Sequence, residues 1–317
     1  MKLLVTGGLG FIGMNFINYW LNKYDDEIIN LDKITYASND PKYLSLPNPE
    51  NYKFVQGDIC DETLVKRLVS EVDCVVNFAA ESHVDNSIKN SHDFLLTNIF
   101  GTHNLLNAVK EEDKRFHHIS TDEVFGSLEK NSKEQFNEHS CYRPQNPYSA
   151  TKASADHLVN SYINTYGIKA TISNCSNNYG PLQHPEKLIP KTILNLLKGD
   201  KAQLYGNGLQ IRDWIYVEDH CSAIDLILKK GKIGENYMIG AENEKTNLEI
   251  VTKLCTLLDK TPNESIEYIK DRPGHDVRYA IDPNKIRKEL SWTPSHNFDD
   301  SLYNTMSFYV NNRKNFL

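Results

Sequence analysis

The chain has 317 residues, 39% apolar and 24% charged, which is ordinary globular composition and enough for a sizeable core and two lobes. A formal charge of −7 argues against a nucleic-acid partner, whose phosphates repel an acidic surface, and leaves room for an anionic ligand where a few lysines and arginines converge in one cleft. Six cysteines (Cys60, Cys74, Cys141, Cys175, Cys221, Cys255) lie far apart with no C-x-x-C spacing. No metal site and no disulfide framework is therefore expected, and a reducing compartment is. Met1-Lys2 runs directly into a strand pattern without a signal peptide, and no apolar run approaches the ~18 residues of a membrane span. The expectation is a soluble, cytoplasmic protein with no membrane partner.

Residues 2–6 are a short apolar run, followed by Gly7-Gly8-Leu9-Gly10-Phe11-Ile12-Gly13 and a helical pattern through Leu21. Strand, glycine-rich turn and helix is the setting of a dinucleotide site, here spaced G-x-x-G-x-x-G. Gly7 permits the tight turn, Gly10 lets backbone approach a pyrophosphate, and Gly13 lets the helix pack on the strand. The helix N-terminus then faces the diphosphate. A second strand, 27–31, ends in Asp32, about twenty residues on, where a carboxylate accepts from ribose hydroxyls and repels a 2′-phosphate. NAD rather than NADP is the expected cofactor. A third strand, 52–56, ends in Gly57-Asp58-Ile59, with Asp58 placed to bond an adenine amino group. A helix over 62–70 leads to a fourth strand, 74–78, which opens into Ala79-Ala80-Glu81-Ser82-His83. The two alanines suit a backbone lying against a cofactor, and His83 suits a structural hydrogen bond. The helix predicted over 91–110 carries an apolar stripe (Phe94, Leu95, Ile99, Leu105, Leu106, Val109), as core or subunit interface.

A strand over 116–119 leads into Ser120-Thr121-Asp122-Glu123. A hydroxyl and two adjacent carboxyls so placed leave the carboxyl end of a strand, the edge where open α/β sheets bind ligands. Alone, such residues fit a turn or a helix cap; the dinucleotide pattern before them and a Tyr-x-x-x-Lys pair after them give them weight. Past a polar loop, 128–141, Asn146-Pro147 starts a helix on which Tyr148 and Lys152 share a face. An ammonium near the phenol, with a positive nicotinamide, favours phenolate and draws Tyr148 down from its ordinary value of about 10. A strand over 169–174 exits into Cys175-Ser176-Asn177-Asn178-Tyr179-Gly180-Pro181. Beyond it, short elements alternate with prolines and glycines: a helix at 191–198, a strand-like alternation at 210–217, helices at 218–228, 249–258 and 300–311, and a loop at 271–276. The expected fold is α/β, a Rossmann-type doubly wound parallel sheet over 1–176. A smaller α/β C-terminal lobe over 177–317 would hold the substrate, with some segments returning to the first domain.

These residues resemble the extended short-chain dehydrogenase/reductase superfamily and, in its nucleotide-sugar branch, the dTDP-glucose 4,6-dehydratase family, nearly end to end. The stretches that carry the resemblance are TGGLGFIG, LDKITYASN, GDICD, NFAAESHVD, STDEVFG, NPYSATKA, CSNNYGP, PEKLIP, IRDWIYVEDH and DRPGHDVRYAID. The Thr-Asp-Glu triplet is the specific part, since related epimerases and decarboxylases usually lack the Asp-Glu pair. The chain departs from the family pattern at Asn86 and Asn174, where arginine is usual, and at Phe125, where tyrosine is usual.

The resemblance implies a lyase that dehydrates a nucleotide hexose, dTDP-glucose to dTDP-4-keto-6-deoxy-glucose, with NAD as cofactor. Tyr148 would deprotonate the C4 hydroxyl, Lys152 stabilise the phenolate and hold the cofactor ribose, and Thr121 bond the C4 oxygen. Glu123 would remove the C5 proton and Asp122 protonate the departing C6 hydroxyl. These two carboxyls need separated pKa values, and on an extended strand end they would point to opposite sides. Cofactor contacts are implied from Phe11, Ile12, Lys33, Thr35, Ile59, Ser82, Thr97 and Asn178, beside Gly7, Gly10, Gly13, Asp32, Asp58, Ala79, Ala80, Tyr148 and Lys152. Substrate contacts are implied from Ser82, Thr121, Asn177, Lys187, Leu188, Gln203, Tyr205, Arg212, Asn247, Arg272 and His275, with Arg212 and Arg272 as diphosphate clamps. A homodimer through a four-helix bundle follows from the family. The rival readings are the same chemistry on UDP-glucose or UDP-N-acetylglucosamine, a 4-epimerase, and a non-catalytic NAD-binding sensor. Asp122-Glu123 argues against the epimerase, and Tyr148 with Lys152 against the sensor.

Overall fold

Strands covered by helices on both faces read as nearly unbroken apolar runs, and β1 (Lys2–Thr6) is of this kind, with Leu3, Leu4 and Val5 fully buried. A computed structural model describes residues 1–271 and 273–316. Arg272 lies outside the described residues. After β1 come β2 (Glu27–Asp32), β3 (Tyr52–Gln56), β4 (Cys74–Asn77), β5 (Arg115–Thr121) and β6 (Lys169–Cys175), and the sheet is completed by β10 (Asn236–Ile239). All neighbours are parallel, in the order β10-β6-β5-β4-β1-β2-β3. The winding reverses between β1 and β4, and the crevice at the carboxyl ends of the strands there is where such sheets bind ligands.

The period-2 alternation of strands divides β1 between two cores. Leu4 joins Ile29, Val75, Phe116 and Ile172 under the helices Glu62–Ser70, Thr102–Glu111 and Pro147–Tyr166. Leu3 and Val5 join Ile28 and Val76 on the other face, against Phe16, Ile17 and Trp20 of the helix Phe11–Lys23 and Cys221 and Ile224 of the helix Val217–Lys230. Burial of each such side chain stabilises by about 1.5–3 kcal/mol.

The remaining strands form two small sheets. β7 (Asn177–Tyr179), β9 (Ile211–Tyr216) and β11 (Glu244–Thr246) make one, in the order β11-β9-β7; β8 (Ala202–Tyr205) and β12 (Ile266–Ile269) pair in parallel. Tyr179, Ile193, Trp214, Ile250, Leu302 and Tyr309 fill the core beneath them.

Three elements differ from expectation. The 91–110 helix is His92–Phe94, a π-helical segment Leu95–Gly101 and then Thr102–Glu111. The wider π turn rotates the stripe, so Phe94, Leu105, Leu106 and Val109 are buried while Leu95 turns outward. The helix predicted from 191 begins at Leu188, because Pro190 is tolerated in its first turn. The polar 128–141 loop is tethered by bridges from Leu128 to Arg278 and from Phe136 to Ile281. All six cysteines are free thiols, and among the described residues no helix is long and apolar enough to cross a membrane.

Candidate active site

Four segments meet at the carboxyl edge of the sheet: 7–13 after β1, 79–82 after β4, 121–123 at the end of β5, and 176–178 after β6. Gly7 has φ +70° and lies so close to β4's exit that a Cβ would stand 2.7 Å from the Ala79 backbone. A Cβ on Gly13 would stand 2.4 Å from the Gly7 carbonyl oxygen. Gly10 is the N-cap of the helix Phe11–Lys23, with no side-chain cap and no acidic residue in the first turn. The helix dipole and unpaired amides are thus available to an anion.

Asp32 is buried at the end of β2. It accepts from the Leu9 amide (2.9 Å), the Ile34 amide (2.8 Å) and Ser38 Oγ (3.2 Å). Around it, Lys33, Thr35, Asp58, Ile59, Ala79, Ala80 and Thr97 line one side of the crevice. Asp58 is held by the Cys60 amide (2.9 Å) and by Lys33 (3.1 Å). The buried Thr97 Oγ1 has no partner. A glycine cradle that side chains would fill, an uncapped helix end and an unsatisfied buried hydroxyl fit a dinucleotide.

The same crevice continues past Phe11, Ile12 and Ser82 to Thr121, Asp122, Glu123, Tyr148, Lys152, Asn177 and Asn178. Thr121 ends β5 and caps a 3-10 turn, Asp122–Phe125, accepting the Glu123 amide (3.3 Å) and donating to Asp122 Oδ1 (3.3 Å). The turn replaces the extended strand end expected for the two acids, so both side chains reach one cleft rather than opposite faces. Asp122 is 1% exposed. Burial, then the Glu123 and Asp213 carboxylates, push its carboxyl well above the usual range, against the pull of Arg212. This shift favours the protonated form, the form a proton donor needs.

Tyr148 stands in the first turn of the helix Pro147–Tyr166, which Asn146 and Ser149 start with a capping box. Burial, then Glu123, Cys175 and Asp122, raise its phenol well above the ordinary value, opposed by the Thr121 hydroxyl. Lys152 points its ammonium at the Ile119 carbonyl (2.6 Å) and His118 Nε2 (3.4 Å). The lowering expected for Tyr148 is thus not produced by the chain's own groups.

Ser82, Asn177, Lys187, Leu188, Gln203, Tyr205, Arg212, Asn247 and His275 line an adjoining cavity, which Glu123 also faces. Lys187 Nζ donates to the Ser82 carbonyl (3.1 Å), and Tyr205 OH to Asp85 (3.0 Å). His275 Nδ1 lies 2.6 Å from Asp271. Arg212 is nearly buried, donates to the carbonyls of Ile211 (2.7 Å) and Asp276 (2.9 Å), and stacks 4.2 Å above the Tyr279 ring.

The family model for GDP-mannose 4,6 dehydratase matches residues 4–305. A dTDP-glucose 4,6-dehydratase of Mycobacterium tuberculosis is 50% identical over 315 residues, covering 98% of this chain and 94% of that protein. The chain belongs to the dTDP-glucose 4,6-dehydratase family. Another relative, dTDP-glucose 4,6-dehydratase 1 of Escherichia coli K12, is 46% identical over 339 residues, 99% of this chain and 94% of its own. The crystal structure of the dTDP-glucose 4,6-dehydratase of Streptomyces venezuelae with NAD and TYD bound aligns with a TM-score of 0.96 and 42% identity, over 100% of this chain and 99% of that one.

Within this dehydratase fold, the three departures lie off the two cavities. Asn86 donates to Tyr36 OH (3.1 Å), Phe125 packs on Phe136 and Tyr142, and Asn174 donates to the Thr121 carbonyl (3.0 Å) behind the triplet. Sequence reading missed Gly8, where a Cβ would stand 2.2 Å from Asn30 Oδ1, and Gln183 and Ser176, which line the crevice with unpartnered oxygens. It also missed Asn98, which clasps the Glu81 backbone through both amide atoms (2.9 and 3.0 Å) and bonds Thr151 (2.9 Å). An asparagine inside an otherwise apolar helical stripe was the available signal.

Proposed function

We propose that this chain is an NAD-dependent hydro-lyase that converts dTDP-glucose to dTDP-4-keto-6-deoxy-glucose. The observation that carries the reading is a buried Asp122 beside Glu123 and Thr121, in one cleft with Tyr148 and Lys152. Direct loss of water is difficult because the C5 hydrogen of a hexose is not acidic; a ketone at C4 makes it so. When bound, NAD supplies a reversible hydride acceptor that serves C4 and then C6 and ends unchanged.

The glycine turn and Asp32 hold that cofactor, and Asp32 discriminates against a 2′-phosphate. Tyr148 takes the C4 hydroxyl proton while Thr121 bonds the C4 oxygen, and Lys152 stabilises the phenolate. Glu123 removes the proton from C5 and Asp122 passes its proton to the departing C6 hydroxyl, so that one water leaves, and a proton returns to C5 as hydride reaches C6. Lys187, Tyr205, Arg212, Asn247 and His275, with Arg272, would hold the nucleotide diphosphate.

The same proposal assigns residues 1–176 to the cofactor and 177–317 mainly to the nucleotide sugar, in a cytoplasmic homodimer. Exposed Leu95, Leu96, Phe100 and Tyr166 support a four-helix bundle between protomers. Incubation of the purified protein with dTDP-glucose, UDP-glucose and UDP-N-acetylglucosamine, followed by mass and NMR analysis, tests the reaction. Loss of water and a new 6-methyl signal are expected from dTDP-glucose. Turnover of a UDP-sugar alone would move the nucleotide assignment, and no dehydration of any of them would overturn the reading.

A further inference from the structure

Behind the catalytic triplet lies a sealed polar network. Asp156 follows Lys152 by one turn on the helix Pro147–Tyr166 and is fully buried. Its Oδ2 accepts from Ser120 Oγ (2.8 Å), Tyr142 OH (3.2 Å) and Asn174 Nδ2 (3.2 Å). Its Oδ1 lies 3.5 Å from His118 Nε2, the nitrogen that also lies 3.4 Å from Lys152 Nζ.

A hydrogen-bond chain stands behind His118. Thr6 Oγ1 donates to Asn77 Oδ1 (2.7 Å), which turns Asn77 Nδ2 toward His118 Nδ1 (3.2 Å). His118 Nε2 thus stands between the two, 3.4 Å from Lys152 Nζ and 3.5 Å from Asp156 Oδ1, which has no hydrogen-bond partner of its own. Burial, then Lys152 and His117, keep His118 neutral. The other titratable groups facing the pair are also neutral: burial pushes the Cys175 thiol on β6 up to about 12 and raises the Tyr142 phenol. That leaves Asp156, which burial raises to about 6 against the pull of Lys152, and Lys152, which burial lowers against the pull of Asp156, so that each favours the charged form of the other. Removing one member of such a pair leaves the other buried without compensation, and a buried lone ammonium sheds its proton.

We infer that Asp156 is a positioning residue for the oxidation step: its carboxylate keeps Lys152 charged and, through Ser120 and Asn174, holds the end of β5 at the cleft. The inference rests on the role given to Lys152 under the proposed function. Asp156→Asn keeps the shape and removes the charge. Three readouts test it: the pH dependence of the Lys152 side-chain carbon signal by NMR in protein without substrate, the transient appearance of NADH on mixing with dTDP-glucose, and the pH profile of kcat. The expected result is a lower Lys152 midpoint, oxidation slowed roughly 10- to 100-fold, an acid limb moved up by about one unit, and KM changed little. Tyr142→Phe, which spares the charge and removes one donor, should move the limb the same way by a smaller amount, and it carries the test if Asp156→Asn does not fold. An unmoved Lys152 midpoint, or an unmoved limb in either folded variant, overturns the inference. Wild type that yields neither NADH nor product overturns the functional reading instead, and the substrate-free Lys152 titration still decides the role of Asp156.

Discussion

Asp122 and Glu123 are neighbours in a single 3-10 turn and line one cleft, Asp122 almost fully buried at its wall and Glu123 also facing the adjoining substrate cavity. One turn thus separates an acid from a base. Asp122→Asn and Glu123→Gln should each lower dehydration by ~10²–10⁴-fold. Exchange of the C5 hydrogen with deuterated solvent should fall with Glu123→Gln and persist with Asp122→Asn, since proton removal at C5 needs only the base. Product NMR in deuterated buffer reads both. Near-normal dehydration by both variants would sink the dehydratase assignment.

Tyr148→Phe keeps the ring's edge-on contact with Phe94, whose centroid is 6.4 Å away, and removes the proton acceptor for C4. Stopped-flow absorbance should show no NADH at any stage after mixing with dTDP-glucose, at any pH. A normal NADH transient would transfer the role to another group.

Asp32 has a double task, because its carboxylate also ties the Leu9 and Ile34 amides. Asp32→Ala should narrow the preference for NAD over NADP in calorimetric titrations. It should also cost about 1–3 kcal/mol of stability by stranding those donors. Wild type that binds NADP as well as NAD would remove the ribose assignment.

His220 is fully buried, with Nδ1 at 2.9 Å from Asn178 Oδ1, and burial lowers it from 6.5 to about 3. A histidine depressed in the folded state contributes stability that is complete above pH 6.5 and lost as pH falls toward 3. The slope is about 1.4 kcal/mol per pH unit. His220→Gln, which can still donate to Asn178, should be less stable than wild type at pH 7, and urea midpoints should show that gap shrinking by about 2 kcal/mol at pH 5. A gap independent of pH would show that His220 does not titrate on unfolding.

The outward Leu95 and Phe100 offer a direct test of assembly. Light scattering of the wild type should give a dimer at micromolar concentration, and Leu95→Lys with Phe100→Lys should give a folded monomer. A wild-type monomer would count against the bundle.

How much of this was legible in the sequence depended on whether a local pattern or a long-range approach sets the position. Gly7 and Gly13 were readable because a turn beside a helix start demands them, and the strands β1, β2 and β4 were readable from their apolar runs. Which members of the 91–110 stripe are core and which, like Leu95, face outward was not readable, because a π turn leaves no mark in a periodicity built on 3.6 residues per turn. The turn that brings Asp122 and Glu123 to one cleft was missed because Thr121, at the end of a strand, is also a helix cap. Asp156 stood one turn from Lys152 in plain view. Its partners Ser120, Tyr142 and Asn174 come from other segments, and only the folded chain assembles them.

The parallel sheet ends at β10, supplied by residues 236–239, which pair with β6 at 172–175. Until those residues are made, β6 on a nascent chain presents its outer row of amides and carbonyls unpaired. At 5–20 residues per second, the roughly 60 residues between the two strands leave that edge bare for several seconds. Such an edge is a template for pairing with another chain. Chains stopped before residue 236 should therefore collect in aggregates, and chains carried past 239 should not.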